Sequence, residues 1–448
     1  MAEALIKKTK FNAVQVLAIG FALVILFGGI ILSLPISSVH GKYTNLLDSI
    51  FTSTSAVCVT GLVTIDTGTH WNVFGKIVIM LLIETGGLGF MSITIFIAIL
   101  LGKKITLKDR LIMQEAMNTF NIQGLVKMVK YVLFFTLSVQ VSGAILLATQ
   151  FVPQFGWKTG IFFGIFHSVS AFCNAGFDLF GNYASLVNYS SNAVVLLTIG
   201  GLIIIGGLGF TVSLEILNYR KTRRLSTHSK IVICITLILI IFGAIFIFLV
   251  EYKNPETLAN MNFRDKILNA FFASVTPRTA GFNSISTDGM TMAGKLMTII
   301  LMFIGGASGS TAGGLKVTTF GVLVFTLISV MKGREDTEAF GRKFSKETVY
   351  KAFTLLSIAM MLVITVTTIL TITEPDKLFI NLLYEATSAF GTVGLTAGVT
   401  QSIGSISKVV LIITMYLGRV GALTVILAVI NKKKKSGIKY PEAKILIG

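Results

Sequence analysis

The chain has 448 residues, of which 53% are hydrophobic and 13% charged, and its 38 Lys and Arg against 20 Asp and Glu give a formal net charge of +18. Soluble domains carry about 25% charged residues, so this composition excludes an ordinary soluble protein. Long continuous apolar runs also exclude a transmembrane β-barrel, whose strands are alternating segments of about ten residues.

Apolar runs with almost no charge recur along the whole chain. A helix of about 20 apolar residues crosses a bilayer core roughly 30 Å thick. The predicted first spans lie at 14–36, 126–151, 230–250 and 349–372, and the predicted second spans lie at 76–101, 192–217, 295–331 and 408–430.

Between each first and second span lies a short apolar stretch that ends in a glycine-containing motif. The motifs are SAVCVTGL (55–62), SAFCNAGF (170–177), SVTPRTAGF (274–282) and SAFGTVGL (388–395), and they follow the stretches 46–54, 161–169, 267–273 and 378–387. Stretches of about 10 to 14 residues are too short to cross a membrane and are typical of re-entrant segments.

The sequence therefore predicts an all-α polytopic membrane protein with four repeats of helix, pore helix, filter loop and helix, or eight spans. The predicted repeats are 11–101, 124–217, 228–331 and 348–430, followed by a basic tail at 431–448.

The distribution of positive charge predicts the orientation. Of the 38 Lys and Arg, 26 lie in the N-terminal segment, the inter-repeat linkers and the tail, and ten lie at the opposite ends of the spans. Because positive flanking residues stay in the cytoplasm, both termini and all linkers are predicted to be cytoplasmic, which accounts for the charge without a nucleic-acid partner. Every repeat then starts and ends inside, so the four are parallel and pseudo-symmetric about an axis along the membrane normal. Their loops would line one central pore in the cell membrane.

A cation that crosses hydrocarbon needs oxygen atoms in place of its hydration shell, and rings of backbone carbonyls supply them in potassium-selective filters. One glycine per motif allows the left-handed backbone that such a loop requires. The candidate ion-binding residues are Val59, Thr60, Gly61, Asn174, Ala175, Gly176, Thr279, Ala280, Gly281, Thr392, Val393 and Gly394. None of them is charged, so main-chain carbonyls are the predicted ligands.

These four motifs in register resemble the filter loops of the Trk/Ktr/HKT superfamily of potassium transporters, and the eight spans with a short basic tail are most similar to the Ktr membrane subunits. The resemblance implies that Gly61, Gly176, Gly281 and Gly394 are the filter glycines. Members that favour sodium often have Ser at the first position, so Gly61 favours potassium as the transported ion. Sodium is the alternative, either as a permeating or as a coupling or activating ion. No covalently bound cofactor is expected.

The resemblance also implies partners. Ktr membrane subunits form homodimers with one pore per subunit, and a cytosolic KtrA-like ring of nucleotide-binding regulatory subunits gates them from inside. A solvated, lipid-facing cytoplasmic surface is the simplest explanation of Asn118, Asn121, Gln123, His228 and the run 432–435, and docking of such a ring is the alternative.

The second spans carry a further correspondence, at GGLG (86–89), GGLG (206–209), GGAS (305–308) and GRVG (418–421). Small residues let helices approach closely, so simple packing is the favoured explanation for the first two.

The third element extends into GGASGSTAGGLK, which cannot form a regular membrane helix. Non-helical backbone at this depth is tolerated only beside a cavity, so we expect a broken span and a gating loop below the filter, with a passive hinge as the alternative. The predicted gate residues are Gly305, Gly306, Ala307, Ser308, Gly309, Ser310, Thr311, Ala312, Gly313, Gly314, Lys316 and Arg419. A phosphate-binding P-loop is excluded because Leu315 and Val317 flank the lysine where the motif requires Gly and Ser or Thr.

Arg419 takes the place of Gly87, Gly207 and Gly306 within its element. A buried arginine costs at least about 2.5 to 3.5 kcal/mol, so it should face the pore or the bundle interior. There it would repel a cation and hold the gating loop through its carbonyls. The alternative is a structural pair with Glu84 or another buried acid.

Two other classes of protein fit less well. A secondary transporter with alternating access usually has inverted repeats, whereas the charge pattern here is parallel. A membrane-embedded enzyme needs clustered acids, bases or metal ligands, whereas the four His lie in separate segments.

Overall fold

The computed structural model describes residues 13–89 and 125–421. The N-terminal lysines, Asn118, Asn121 and Gln123 of the first linker, the ends of the first and fourth predicted second spans, and the tail 431–448 lie outside the described residues. What was predicted for them stays a prediction.

The described residues form fourteen α-helices, three short 3-10 turns and a two-stranded antiparallel hairpin. In chain order the helices are α1 (Ala13–Ser33), α2 (Leu46–Val57), α3 (Thr67–His70), α4 (Val73–Leu88), α5 (Leu125–Phe172), α6 (Ala193–Leu208), α7 (Phe210–Thr222), α8 (Thr227–Glu251), α9 (Phe263–Val275), α10 (Met292–Phe303), α11 (Val317–Met331), α12 (Lys346–Thr373), α13 (Phe379–Gly391) and α14 (Ser405–Val420), and the hairpin strands are β1 (Glu338–Ala339) and β2 (Arg342–Lys343).

Four helices, α1, α5, α8 and α12, are long and apolar enough to cross a bilayer, and the bent pair α6–α7 is a fifth candidate. Helices α10 and α11 are apolar but shorter. Side chains such as Phe27, Phe134 and Leu249 are more than 60% exposed on the long helices, which fits contact with lipid rather than water. The chain is a helical membrane protein.

Helix α5 contains both the predicted span 126–151 and the predicted short stretch 161–169. Pro153 lies inside it, and Gly156 interrupts it with φ 76° and ψ 169°. A left-handed glycine reverses the chain without a side-chain clash, so the span and the short helix separate at Gly156.

The second predicted span of the second repeat, 192–217, is not continuous, and this prediction is corrected. Helix α6 ends at Leu208, Gly209 has φ 90°, and α7 leaves at an angle of 99°. The first amide after the break is hydrogen-bonded outside the helix, since Phe210 donates to the carbonyl of Gly309 at 3.0 Å. A hydrogen bond to a distant loop thus replaces the bond within the helix that Gly209 ends.

Three short helices are fastened to long helices by the same contact. A serine of the short helix donates to a carbonyl on the long helix, at 2.7 Å for Ser53 to Ile25, 2.6 Å for Ser168 to Gln140 and 2.8 Å for Ser274 to Ile240. In each pair the serine oxygen lies no more than 2.7 Å from the position of a Cβ on a long-helix glycine, and these glycines are Gly28, Gly143 and Gly243. Glycine therefore brings the backbones close enough for the bond.

The two ends of the described chain meet. Lys408 at the start of α14 forms a 2.6 Å ion pair with Asp48 of α2, with both side chains less than a fifth exposed. Farther along α14, Tyr416 donates to the carbonyl of Ala18 in α1 at 2.7 Å. The bundle therefore closes on itself, which brings the first and last glycine motifs together.

Glu251 ends α8 as a fully buried carboxylate. It accepts hydrogen bonds from Asn254, from the hydroxyl of Thr257, and from both the amide and the hydroxyl of Thr291 just before α10. A buried carboxylate with all its oxygens bonded ties the end of α8 to the start of α10.

Removal of this carboxylate should destabilise the bundle. We expect Glu251→Ala to lower the free energy of unfolding by about 3 kcal/mol, because several buried donors lose their acceptor at once. Thermal unfolding of the purified protein in detergent measures the change. The exposed neighbour Glu256, replaced by Ala, is the control, and equal stability of the two variants would contradict the role given to Glu251.

Candidate functional site

The four glycine loops, residues 59–61, 174–176, 279–281 and 392–394, begin one to four residues after the C-terminal ends of α2, α5, α9 and α13. In each loop the glycine and the residue two before it have left-handed backbones, with φ between 50° and 96°. The non-glycine residues in that conformation are Val59, Asn174, Thr279 and Thr392. Side chains resist this conformation, so four such pairs in register indicate a backbone that the surroundings enforce.

Main-chain bonds turn each loop in the same direction. The residue before each glycine donates its amide back to the preceding helix end: Thr60 to Ser55, Ala175 to Ser170, Ala280 to Thr276 and Val393 to Ser388, at 2.7 to 2.9 Å. Because the amides are bonded to the helices, the carbonyls of these residues are free to face a different direction.

Hydroxyl groups at the C-terminal ends of the short helices form further hydrogen bonds with the same loops. Ser55 and Ser388 accept from the amides of Gly61 and Gly394 at 2.9 and 3.0 Å. Ser170 and Thr276 instead donate to the carbonyls one residue after their glycines, at 2.8 and 2.5 Å. The third motif has one extra residue, and Thr276 takes the place of the aligned Ser274. These hydroxyls were not identified from the sequence, although a Ser at the start of each motif was a signal for them.

The four glycine loops contact one another in chain order and close a ring. A Cβ on Gly61 would lie 2.5 Å from the carbonyl oxygen of Ala175, and one on Gly176 would lie 2.5 Å from that of Ala280. In the same way Gly281 faces the carbonyl of Val393, and Gly394 faces the carbonyl of Thr60. Each glycine thus leaves room for the carbonyl of the next loop.

This ring presents four carbonyl oxygens, and the side chains of the residues that carry them are fully buried. The described residues contain no group of His, Cys, Asp or Glu suited to a metal ion. A closed ring of backbone carbonyls replaces the hydration of a monovalent cation, which is the chemistry that this arrangement can perform.

The glycine elements in the second spans of the first, second and fourth repeats pack closely against the C-terminal ends of the short helices. A Cβ on Gly86, Gly206 or Gly418 would collide with the carbonyl of Val57, Phe172 or Phe390. The last residue of each element is a left-handed glycine at which the helix ends, namely Gly89, Gly209 or Gly421. The first two elements therefore serve close packing, and a helix break accompanies the packing.

The longest helix break lies in the second span of the third repeat. Helix α10 ends at Phe303 and α11 begins at Val317, and the segment between them, 304–316, forms the broken-helix loop. Its ends pair, since Gly305 donates to Leu315 at 2.9 Å and Val317 donates to Gly306 at 3.0 Å. A Cβ on Gly313 would collide with Thr392, which places the loop against the fourth glycine loop.

Neighbouring elements hold the broken-helix loop. Ala307 donates to Gly207 at 2.9 Å, and the hydroxyl of Thr311 donates to the carbonyl of Phe172 at 3.3 Å. Lys316 donates to Ala312 at 2.6 Å within the loop, and Ser308 shares a 3.0 Å bond with Thr318. The loop is therefore fastened to the second span of the second repeat and to the ring above it.

Arg419 extends from α14 to the same loop. One guanidinium nitrogen donates to the carbonyl of Thr311, and the other donates to the carbonyls of Gly86 and Gly87. Glu84, the acid proposed as a structural partner, instead accepts from Gln140 at 2.8 Å and from Cys173 at 3.3 Å. No ion pair of Arg419 occurs within the described part of the chain. The arginine thus bridges α4 and the broken-helix loop through carbonyls alone.

Two further polar residues support the ring. His167 of α5 is buried, with Nδ1 2.7 Å from the carbonyl of Phe163, and its Nε2 accepts from the amide of Leu179 at 3.3 Å, so it is a satisfied packing residue. Glu385 of α13 was not identified from the sequence. It is 1% exposed and accepts from Thr396, Thr400 and the amide of Ala397, the segment that follows the fourth glycine loop.

A buried ring of main-chain carbonyls inside apolar helices, with a broken helix beneath it, is the arrangement expected of a membrane protein that transports cations. The sequence matches the TrkH family of cation transport proteins over residues 10–437. The chain belongs to this family, whose members are ion transporters and not enzymes.

Full-length relatives agree with that assignment. The chain is 44% identical to the potassium/sodium uptake protein NtpJ of Enterococcus hirae over 98% of both chains. It is 41% identical to the Ktr system potassium uptake protein B of Bacillus subtilis over 100% of this chain and 99% of the relative. The crystal structure of the potassium transporter TrkH from Vibrio parahaemolyticus shares the fold with a TM-score of 0.74 and 18% identity, over 94% of this chain and 86% of that chain. The resemblance found in the sequence is confirmed.

The tight contact of Gly206 with Phe172 can be tested within one helix. We expect Gly206→Ala to lower the free energy of unfolding by about 2 kcal/mol, because the added methyl group meets a carbonyl that cannot move away. Gly201 in the same helix has open space where a Cβ would lie, with no neighbouring atom within 4 Å, so Gly201→Ala is the matched control and should be neutral or stabilising. Equal losses in thermal unfolding would contradict the packing role.

Proposed function

We propose that this chain is the ion-translocating subunit of a potassium uptake system, in which potassium passes through the ring of glycine loops down its electrochemical gradient. The observation that carries the proposal is the cyclic contact of each filter glycine with the carbonyl of the next loop. The uptake functions named for the relatives from Enterococcus hirae and Bacillus subtilis support it.

The proposed architecture is four parallel, pseudo-symmetric repeats with eight spans, at 11–101, 124–217, 228–331 and 348–430. Support comes from the order of long helix, short helix, glycine loop and further helix, which recurs four times in the described residues. The excess of Lys and Arg in the linkers supports cytoplasmic termini, with the glycine loops entered from outside.

The twelve residues of the glycine loops are the proposed ion site, with carbonyl oxygens as ligands and the side chains turned away. The short helices end at this site, so their partially negative C-terminal ends favour a cation there. The serine and threonine hydroxyls that form hydrogen bonds with the loops would then keep the diameter of the ring constant.

The proposed gate is the broken-helix loop together with Lys316 and Arg419. Two positive side chains lie at this loop, and Arg419 connects it to α4. Positive charge below the ring opposes the passage of a cation, so opening requires the loop and Arg419 to move apart.

A homodimer and a cytosolic, KtrA-like nucleotide-binding ring are the proposed partners, in keeping with the word "system" in the name of the Bacillus subtilis relative. The name of the Enterococcus hirae relative favours a second candidate function, in which the same pore also passes or responds to sodium.

Selectivity tests the ring directly. Gly61→Ser places a side chain against the carbonyl of Ala175, so we expect the preference for rubidium over sodium to fall by about tenfold, which corresponds to roughly 1.4 kcal/mol. Uptake of labelled rubidium and sodium into cells that lack potassium uptake measures it. Gly201→Ser, a glycine outside the ring, is the control, and an unchanged preference in the Gly61 variant would refute the filter assignment. High sodium uptake in the unmodified protein would favour the second candidate function.

Removal of the arginine contact tests the gate. We expect Arg419→Ala to raise rubidium flux into vesicles severalfold, because the loop loses its tie to α4 and the pathway loses a positive charge. Deletion within 306–314 should also raise flux. Arg334→Ala removes an exposed arginine that pairs with Glu338 and serves as the control. Unchanged or lower flux in both gate variants would count against gating while leaving the filter untouched.

A further inference from the structure

The four residues that begin the glycine loops share a left-handed backbone but differ in their side chains. Val59 is apolar, and the side chains of Asn174 and Thr279 share a hydrogen bond of 3.2 Å. Thr392 is fully buried, and its hydroxyl has no hydrogen-bond partner among the described residues. A buried hydroxyl without a partner has given up its bonds to water without replacing them. Of these four residues, Thr392 is thus the one whose polar group is left unsatisfied.

The broken-helix loop covers this hydroxyl. The first atom that a Cβ on Gly313 would meet is the Oγ1 of Thr392, so the backbone of Gly313 lies directly against the hydroxyl. A Cβ on Gly314, the next residue, would lie 3.1 Å from the Cα of Gly391, which ends α13. The loop therefore contacts the start of the fourth glycine loop through two consecutive glycines.

The methyl group of Thr392 faces α14 instead. A Cβ on Gly418 would lie 3.2 Å from this methyl carbon, and Gly418 precedes Arg419, whose guanidinium donates to the carbonyl of Thr311 in the broken-helix loop. Thr392 thus lies where both parts of the proposed gate meet the ring. Because its hydroxyl faces the loop, movement of the loop away from the ring would uncover the hydroxyl.

We propose that the Thr392 hydroxyl favours opening of the gate, because it is unsatisfied while Gly313 covers it and binds the hydration water of the passing cation once the loop has moved. This inference rests on the gate proposed above. A threonine hydroxyl can donate one hydrogen bond and accept two, so water satisfies it fully. The equilibrium between the covered and the open gate depends on this difference, and loss of the hydroxyl should shift it toward the covered state.

Thr392→Val tests the proposal, because valine has nearly the same shape but no hydroxyl. Valine fits this backbone, since Val59 occupies the same position of the first loop with φ 56°. We expect rubidium flux into vesicles that contain the full chain to fall by about fivefold, which corresponds to roughly 1 kcal/mol. The midpoint of thermal unfolding in detergent should rise, because an unsatisfied buried group is lost. Thr392→Ser keeps the hydroxyl and should restore most of the lost flux.

Thr387→Val is the matched control. Thr387 lies in α13 and is 1% exposed, but its hydroxyl donates to the carbonyl of Leu383 at 2.8 Å. The same substitution there removes a hydroxyl that already has a partner. It should therefore leave rubidium flux unchanged and should not raise the midpoint of unfolding.

A deletion within 306–314 that includes Gly313 separates an effect on the gate from an effect on the ring. The hydroxyl is no longer covered in that background, so Thr392→Val should cause little further loss of flux. An equal loss in both backgrounds would overturn the proposal, and so would unchanged flux in Thr392→Val when the deletion alone raises flux. If the deletion alone leaves flux unchanged in a protein that still prefers rubidium to sodium, the proposed gate is wrong and this inference with it, whereas the filter is unaffected.

Discussion

The contact between the glycine of each glycine loop and the carbonyl of the next loop is the constraint on which the rest of this structure depends. A single methyl group at Gly61, Gly176, Gly281 or Gly394 would occupy the space of an oxygen atom from the neighbouring loop. Because the contacts run in one direction around the ring, no loop can shift without moving the next. The close contacts between backbones therefore limit the size of the ring.

The surrounding helices supply the stiffness that the ring needs. Serines on three short helices bond to long-helix carbonyls at positions opened by glycine, and hydroxyls at the motif starts hold the loops from behind. Glycine thus acts at two levels, since it lets helices approach outside the ring and lets carbonyls approach within it. Left-handed residues such as Val59 and Thr279 store strain that this packing maintains.

Below the ring the proposed gate has the reverse requirement, because a gate must be able to move. The broken-helix loop is held by separate hydrogen bonds to Gly206, Gly207 and Arg419. Bonds of this kind can be exchanged one at a time, whereas a packed apolar core moves as a unit. A closely packed ring above a loop held by exchangeable bonds is consistent with the proposed filter and the proposed gate.

Much of this was predictable because it depends on local chemistry. The apolar run at 230–250 predicted α8 closely, since the structure places it at Thr227–Glu251, and the run at 349–372 lies within α12. The glycine motifs and the glycine-rich run at 305–316 also predicted loops. Their composition is unfavourable in a helix whatever residues pack against it.

The break at Gly209 was missed for the opposite reason. GGLG in the second span is as apolar as its helical surroundings, and the chain turns there because the carbonyl of Gly309, about a hundred residues away, accepts the amide of Phe210. The extra residue of the third motif likewise moved the anchoring hydroxyl from Ser274 to Thr276, a shift that alignment alone does not reveal.

The sequence by itself determined the membrane class, the recurrence of the motifs, the family and the positions of the four glycines, because hydrophobicity and backbone freedom belong to single residues and short runs. Only the tertiary structure decided which carbonyl each glycine faces and that Arg419 binds Thr311 and Gly86 rather than Glu84. These are relations between distant segments, and they exist only once packing has brought the segments together.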